Sequence, residues 1–206
     1  LDAVAESTEG GEMKTRLIVI DVETGGFDPS KNALLSVAAV DSSDNEAFTA
    51  IIKPNAEWIC EPEALAKNGF TLDFLEKNGR PELDVMQDLA LWLGTRRFSV
   101  MAGCNVAFDR DFLRAAFARN FLTWPRGKMV DLQAAAWLAY EVGALALPVG
   151  KDGQPRLNLD HIAAALGFSR SGKTHNALED ALMTLACFHR LRRLVEMSPR
   201  TQEAVA

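Results

Sequence analysis

Apolar and polar positions along the chain follow two different periods. Leu17-Ile-Val-Ile20 is a continuous apolar run, the pattern of a central strand buried on both faces. Ala33 to Val40 is a second such run, and Ala47 to Ile52 predicts a third strand beyond the turn cluster Asp41-Ser-Ser-Asp-Asn45. These three predict an antiparallel meander. The period then changes. Pro81 predicts a helix start, with Leu83, Met86, Ala90 and Leu93 recurring at helical spacing. Phe98 to Ala102 predicts a strand and Ala107 to Arg119 a helix; Met129 to Leu132 predicts a short strand running into an Ala-rich helix that ends near Gly143. Residues 148–156 read as a loop, and Asn158 to Leu166 and Ala177 to Val195 as the last two helices. This order predicts an α/β fold with a mixed five-stranded sheet, three strands in the meander plus two parallel strands, flanked by helices.

Composition bounds this picture. A chain of 206 residues with 48% hydrophobic and 24% charged positions suits one soluble globular domain. The domain is expected over residues 16–197, with flexible segments at 1–15 and 198–206. Residues 1–12 are small, polar and acidic and do not read as a signal peptide; Met13 is a candidate start. No apolar stretch approaches the roughly 20 residues of a membrane helix, so no membrane partner is expected. Cys60, Cys104 and Cys187 are scattered, without a CxxC pair, and read as free thiols of a reducing cytosol, which predicts a cytoplasmic protein. The formal net charge of −6 by itself argues against a nucleic-acid ligand, which usually leaves a basic footprint.

Three clusters change that argument. Asp21-Val-Glu-Thr-Gly-Gly-Phe27 follows the first apolar run directly. Asp21 and Glu23 are two apart, so on an extended chain their carboxylates share a face. Acids this close repel unless a proton or cation lies between them, and hard divalent cations prefer such oxygens. Thr24-Gly-Gly supplies a turn where a ligand's backbone can approach. Read alone, the cluster is equally a strand ending in solvated acids. In Ala102 to Leu113, Asn105 reads as a helix N-cap with Asp109 in the first turns, which alone is routine capping. In Thr174-His-Asn-Ala-Leu-Glu-Asp180, Asn176 reads as the N-cap, His175 as the residue before it and Asp180 as the fourth helical position. Those positions meet in space, so His175 and Asp180 are expected to be neighbours, a pairing that alone is more often structural. Together the three clusters supply four carboxylates and a histidine. Two metals about 4 Å apart can activate water and clamp a phosphate, and a histidine can take the proton from the attacking water. Bound cations then reconcile the acidic chain with an anionic substrate.

These residues resemble the DEDDh (DnaQ-like) family of 3′–5′ exonucleases. Asp21-x-Glu23-Thr24 is similar to its first motif, Asn105-x-x-Phe108-Asp109-x-x-Phe112-Leu113 to its second, and His175-x-x-x-x-Asp180 to its third, over about residues 16–195. Ile20 to Phe27, Ala33-Leu-Leu35, Pro62-Glu-Ala-Leu-Ala66 and Asn68-Gly69 resemble the ribonuclease T branch of the family. The resemblance implies a ribonuclease H-like fold. It implies that Asp21, Glu23, Asp109 and Asp180 hold two Mg²⁺ ions, for which Mn²⁺ can substitute, and that His175 is the general base. It also implies a nucleic-acid surface of Thr24, Gly25, Phe27, Glu63, Asn105 and Phe108, with single-stranded DNA or RNA 3′ ends as partner and a homodimer as the assembly. Two positions depart from the pattern: Cys104 stands where many members carry histidine, and Lys67 where the ribonuclease T branch carries an aromatic.

The reading is therefore a metal-dependent 3′–5′ exonuclease that hydrolyses phosphodiester bonds at the 3′ end of single strands and releases nucleoside monophosphates. The alternative is a proofreading or processing subunit of a larger machine. A non-catalytic nucleic-acid-binding module is a different class and calls for a missing acid or histidine; none is missing. A nucleotide-binding regulatory domain lacks its GxxxxGK[ST] loop.

Overall fold

The computed structural model describes residues 15–96, 99–125, 127–170 and 174–196. Phe98, Met13 and, apart from Thr15, the terminal segments expected to be flexible lie outside these residues. Five strands form one sheet: β1 (Leu17–Thr24), β2 (Leu34–Asp41), β3 (Ala47–Ile51), β4 (Val100–Gly103) and β5 (Met129–Asp131), in the order β3-β2-β1-β4-β5. β1 pairs antiparallel with β2 and β2 with β3, while β4 lies parallel to β1 and β5 to β4. The mixed sheet expected from the hydrophobic pattern is present, with the ribonuclease H-like arrangement of a meander extended by two parallel strands.

Seven helices flank it among the described residues: α1 (Pro62–Asn68), α2 (Leu72–Asn78), α3 (Glu82–Gly94), α4 (Val106–Arg119), α5 (Leu132–Glu141), α6 (Leu159–Ala165) and α7 (Ala177–Glu196). Side chains alternate along β1, so one run of apolar residues feeds two cores. Leu17 and Val19 join Leu132 and Ala136 of α5, Ile162 of α6, and Ala181 and Leu185 of α7. Ile18, Ile20 and Val22 join Val85, Met86 and Leu89 of α3, and Phe112, Leu113 and Phe117 of α4. β2 is buried along its whole length. Double-sided burial explains why both strands read as unbroken apolar runs.

Two features differ from the sequence reading. β1 does not stop at Ile20 but runs on to Thr24, because Asp21 and Glu23 stay paired with Ala38 and Ser36 of β2. The ladder shifts register between Glu23 and Thr24, a bulge that bends the strand end. α1 and α2 were not expected as elements. Each spans 7 residues, too short for a helical period to emerge. Local signals define them instead: Pro62 in the first turn of α1, Gly69 at φ 70° ending it, and the Thr71 hydroxyl accepting from Phe74 N in α2.

Candidate active site

The first motif is built on β1. Asp21 and Glu23 lie two apart on this strand and project to the same side. Beyond them the chain turns tightly. The Thr24 hydroxyl donates to Gly26 O at 2.6 Å, and Gly25 N donates to Ala33 O at 2.8 Å. A Cβ on Gly25 would stand 2.6 Å from Ile59 O, so only glycine lets the turn lie against the segment that leads into α1. Thr24 and Gly25 are both buried, so the structure uses them to shape the turn. Phe27 at its tip is 81% exposed.

The second motif enters from β4 and α4. Asn105 does not cap α4 with its side chain, as the sequence reading expected. Its backbone is left-handed, at φ 65°, and its side chain makes no capping bond. The Asp131 carboxylate at the end of β5 takes over this task. It accepts from Asn105 N at 3.1 Å and Val106 N at 2.9 Å, and also from Gln133 N of α5 at 2.8 Å. One acid thus caps two helices and fixes the first turn of α4, which carries Phe108 and Asp109. Asp109 is 4% exposed, and its Oδ1 accepts from Val22 N at 3.0 Å, between the two acids of β1. Phe108 sits between the exposed Phe27, at 6.4 Å between ring centroids, and the fully buried Phe112, at 5.0 Å.

The third motif follows the sequence reading closely. Asn176 Oδ1 accepts from Leu178 N and Glu179 N at 3.1 and 3.2 Å, so Asn176 is the N-cap of α7. His175 Nδ1 lies 3.2 Å from Asp180 Oδ2. Glu23, His175 and Asp180 each offer a ligand atom within 4.8 Å of one another. α1 joins the first motif to the third. Buried Asn68 donates to Thr24 O at 3.0 Å, and Lys67 O accepts from His175 N at 3.2 Å. Glu63 lies exposed on the first turn of this helix.

The electrostatics are those of acids held too close. Burial first, then Asp109, Asp180 and Glu23, raises Asp21 well above its ordinary value. Burial and Asp180 push Glu23 up to about 7 against the opposing pull of Lys67 and Arg170. Burial pushes Asp109 up to about 8, with Glu23 and Asp131 adding to the rise while the bond from Val22 N opposes it. Among the described residues Glu23 Oε1 is buried without a hydrogen-bond partner. An orphaned carboxylate oxygen beside the Asp180 carboxylate and the His175 imidazole fits a divalent cation, which would replace the missing donor and cancel the repulsion.

Asp131 and Arg170 had no place in the sequence reading, and Asn68 entered it only through the resemblance of Asn68-Gly69, without a role. Asp131 carried a signal, since an acid between a short strand and an Ala-rich helix is a good N-cap. Asn68 and Arg170 lie at a helix end and in a loop, where no period marks them.

Residues 18–188 match the RNase T family of exonucleases. The chain is 31% identical over 188 residues to ribonuclease T of Cronobacter sakazakii, covering 83% of this chain and 78% of that one. It is also 31% identical to ribonuclease T of Yersinia pestis, covering 83% and 81%. The chain belongs to this exonuclease family. It is a hydrolytic nuclease of the DnaQ-like group, as the three motifs imply. In fold it is similar to Escherichia coli exonuclease I in complex with a 5cy-dA13 oligonucleotide, at TM-score 0.75 and 22% identity, covering 93% of this chain and 45% of that one. Exonuclease I of Methylocaldum szegediense gives TM-score 0.75 and 24% identity over 93% and 42%. The chain therefore spans less than half the length of those two exonuclease I chains. No helix among the described residues is long and apolar enough to cross a membrane.

Proposed function

We propose that this exonuclease removes nucleotides one at a time from the 3′ end of single-stranded DNA or RNA, with two divalent cations, Mg²⁺ by preference, at the acidic site. The observation that carries the reading is the approach of Glu23, His175 and Asp180 to within 4.8 Å, with Asp109 tied to Val22 between Asp21 and Glu23. Asp21, Glu23, Asp109 and Asp180 would hold the cations. When bound, the cations supply an activated water and charge stabilisation for the phosphate in flight.

The protein's own groups do the rest. His175 faces Asp180 through Nδ1, and Nε2 would take the proton of the attacking water. Its place just outside α7 lets the ring approach and withdraw without disturbing the helix. Phe27 and Phe108 present an aromatic edge to the terminal bases, and base stacking tolerates any sequence. Asn105 and Glu63, both exposed, would extend this surface, and the buried Thr24-Gly25 turn would hold Phe27 in place beneath the terminal nucleotide.

The test is an assay on 5′-labelled single-stranded DNA and RNA of matched sequence, with Mg²⁺ and with chelator. A ladder shortening from the 3′ end, abolished by chelator and by Asp21→Asn, is expected. Mononucleotide release from the 5′ end, or unchanged cleavage in chelator, would overturn the reading.

A further inference from the structure

The acidic site contains a cation of its own that this reading does not use. Arg170 reaches from the loop after α6 and sets Nη1 against Asp180 Oδ1. Its Nε and Nη2 lie 3.2 and 3.0 Å from Asp160 Oδ1, near the N-terminal end of α6. The Arg170 side chain is 9% exposed, whereas that of Asp160 is 56% exposed. Asp180 is therefore shared, with Oδ1 facing Arg170 and Oδ2 facing His175. The same carboxylate belongs to the group of three that could hold a cation. A guanidinium stays charged at any ordinary pH, so a fixed positive charge competes for an acid that a divalent ion also needs.

We propose that Arg170 is an internal counter-ion of the acidic site. It competes with the divalent cation for Asp180, keeps Asp160 as its second acceptor when the metal takes Asp180, and so sets the cation concentration at which the site fills. The proposal rests on the metal reading above. A guanidinium that only stapled the loop to α7 would make a different prediction: its loss would loosen Asp180 and weaken metal binding. A counter-ion predicts the opposite sign, because a positive charge at contact distance from a carboxylate opposes a divalent ion on the same group.

The experiment measures Mn²⁺ binding to the full chain without substrate, by electron paramagnetic resonance of the free ion, with circular dichroism to check each variant's fold. Wild-type binding that Asp21→Asn removes locates the site; no such binding overturns the metal reading and this proposal with it. Arg170→Gln is expected to tighten Mn²⁺ about tenfold, and Arg170→Lys to stay within about threefold of wild type, since it keeps the charge. Equal or weaker binding by Arg170→Gln overturns the proposal while leaving the metal reading intact. So does an equal gain in Lys67→Gln, which removes an exposed cation that also acts on Glu23, because the effect would then be general field rather than competition for Asp180. Asp160→Asn, at an exposed position, leaves the guanidinium on Asp180 alone and is expected to weaken Mn²⁺ about threefold, an effect that vanishes in the Arg170→Gln background. Unchanged affinity in Asp160→Asn overturns the proposal even if Arg170→Gln does not fold.

Discussion

At the scale of single residues, the proposed site has groups that would move protons and groups that would touch substrate, and kinetics can separate them. His175 belongs to the first kind. Its Nδ1 is engaged by Asp180, and its backbone N–H is anchored on Lys67 O. His175→Ala is expected to lower turnover by roughly 10²- to 10⁴-fold, the usual range for a lost general base, with a much smaller change in substrate affinity. Steady-state kinetics at saturating Mg²⁺ checks this, and near-normal turnover would leave the imidazole as a structural neighbour of the cap. Phe27 belongs to the second kind. It is 81% exposed and touches Phe108 edge-on, so little of the core depends on it. Phe27→Ala is expected to weaken single-strand binding by about 1–3 kcal/mol with unchanged melting temperature. Fluorescence anisotropy of a labelled oligonucleotide reads the first and a thermal melt the second; a drop in melting temperature with normal binding would assign the ring to the fold.

At the scale of elements, the site depends on how strand ends and helix starts are fastened together. Asp131 is the clearest case. Its carboxylate satisfies the first N–H groups of α4 and one of α5, and α4 carries both Phe108 and Asp109 in its first turn. Asp131→Ala leaves those donors unpaired and is expected to cost about 1–3 kcal/mol of stability. Chemical denaturation measures it, with Asp131→Asn, which keeps one acceptor oxygen, losing less. A change below about 0.5 kcal/mol would mean that water replaces the carboxylate at no cost. The same fastening explains what the amino-acid order revealed and what it concealed. β1, β2 and α7 were legible because double-sided burial and a long helical period leave a strong apolar signature. The three motifs were legible because chemistry restricts their residue types. Asn105 misled because its left-handed backbone lets an acid from a distant strand do the capping. α1 was hidden by its brevity, yet it holds Thr24 and His175 together through Asn68 and Lys67.

At the scale of the whole molecule, the concentrated acids make the stability of the metal-free protein depend on pH in a direction opposite to ordinary acid unfolding. Glu23 is pushed up to about 7 and Asp109 to about 8, with Asp21 also raised; burial is the largest cause for each. In the unfolded chain the same groups return to ordinary carboxylate values near 4. Between about pH 4 and about pH 8 the folded state therefore holds protons that the unfolded state has released, and raising the pH costs stability. The penalty is absent below the unfolded values and complete above the folded ones. His189 acts in the other direction, since burial first and then Arg192 and Arg193 hold it below its ordinary value, but its contribution is complete by about pH 7. The comparison is best made between about pH 6.5 and about pH 8.5. In chelator the melting temperature is expected to fall by at least about 4 °C across that interval. With Mg²⁺ in excess the fall should shrink or reverse, because the cation binds the deprotonated acids and its affinity rises with pH. Glu23→Gln should flatten the chelator curve, since it removes one of the titrating groups while keeping its shape. A melting temperature that does not change with pH in chelator, or that changes equally with and without Mg²⁺, would show that these acids are not the cluster on which a cation acts.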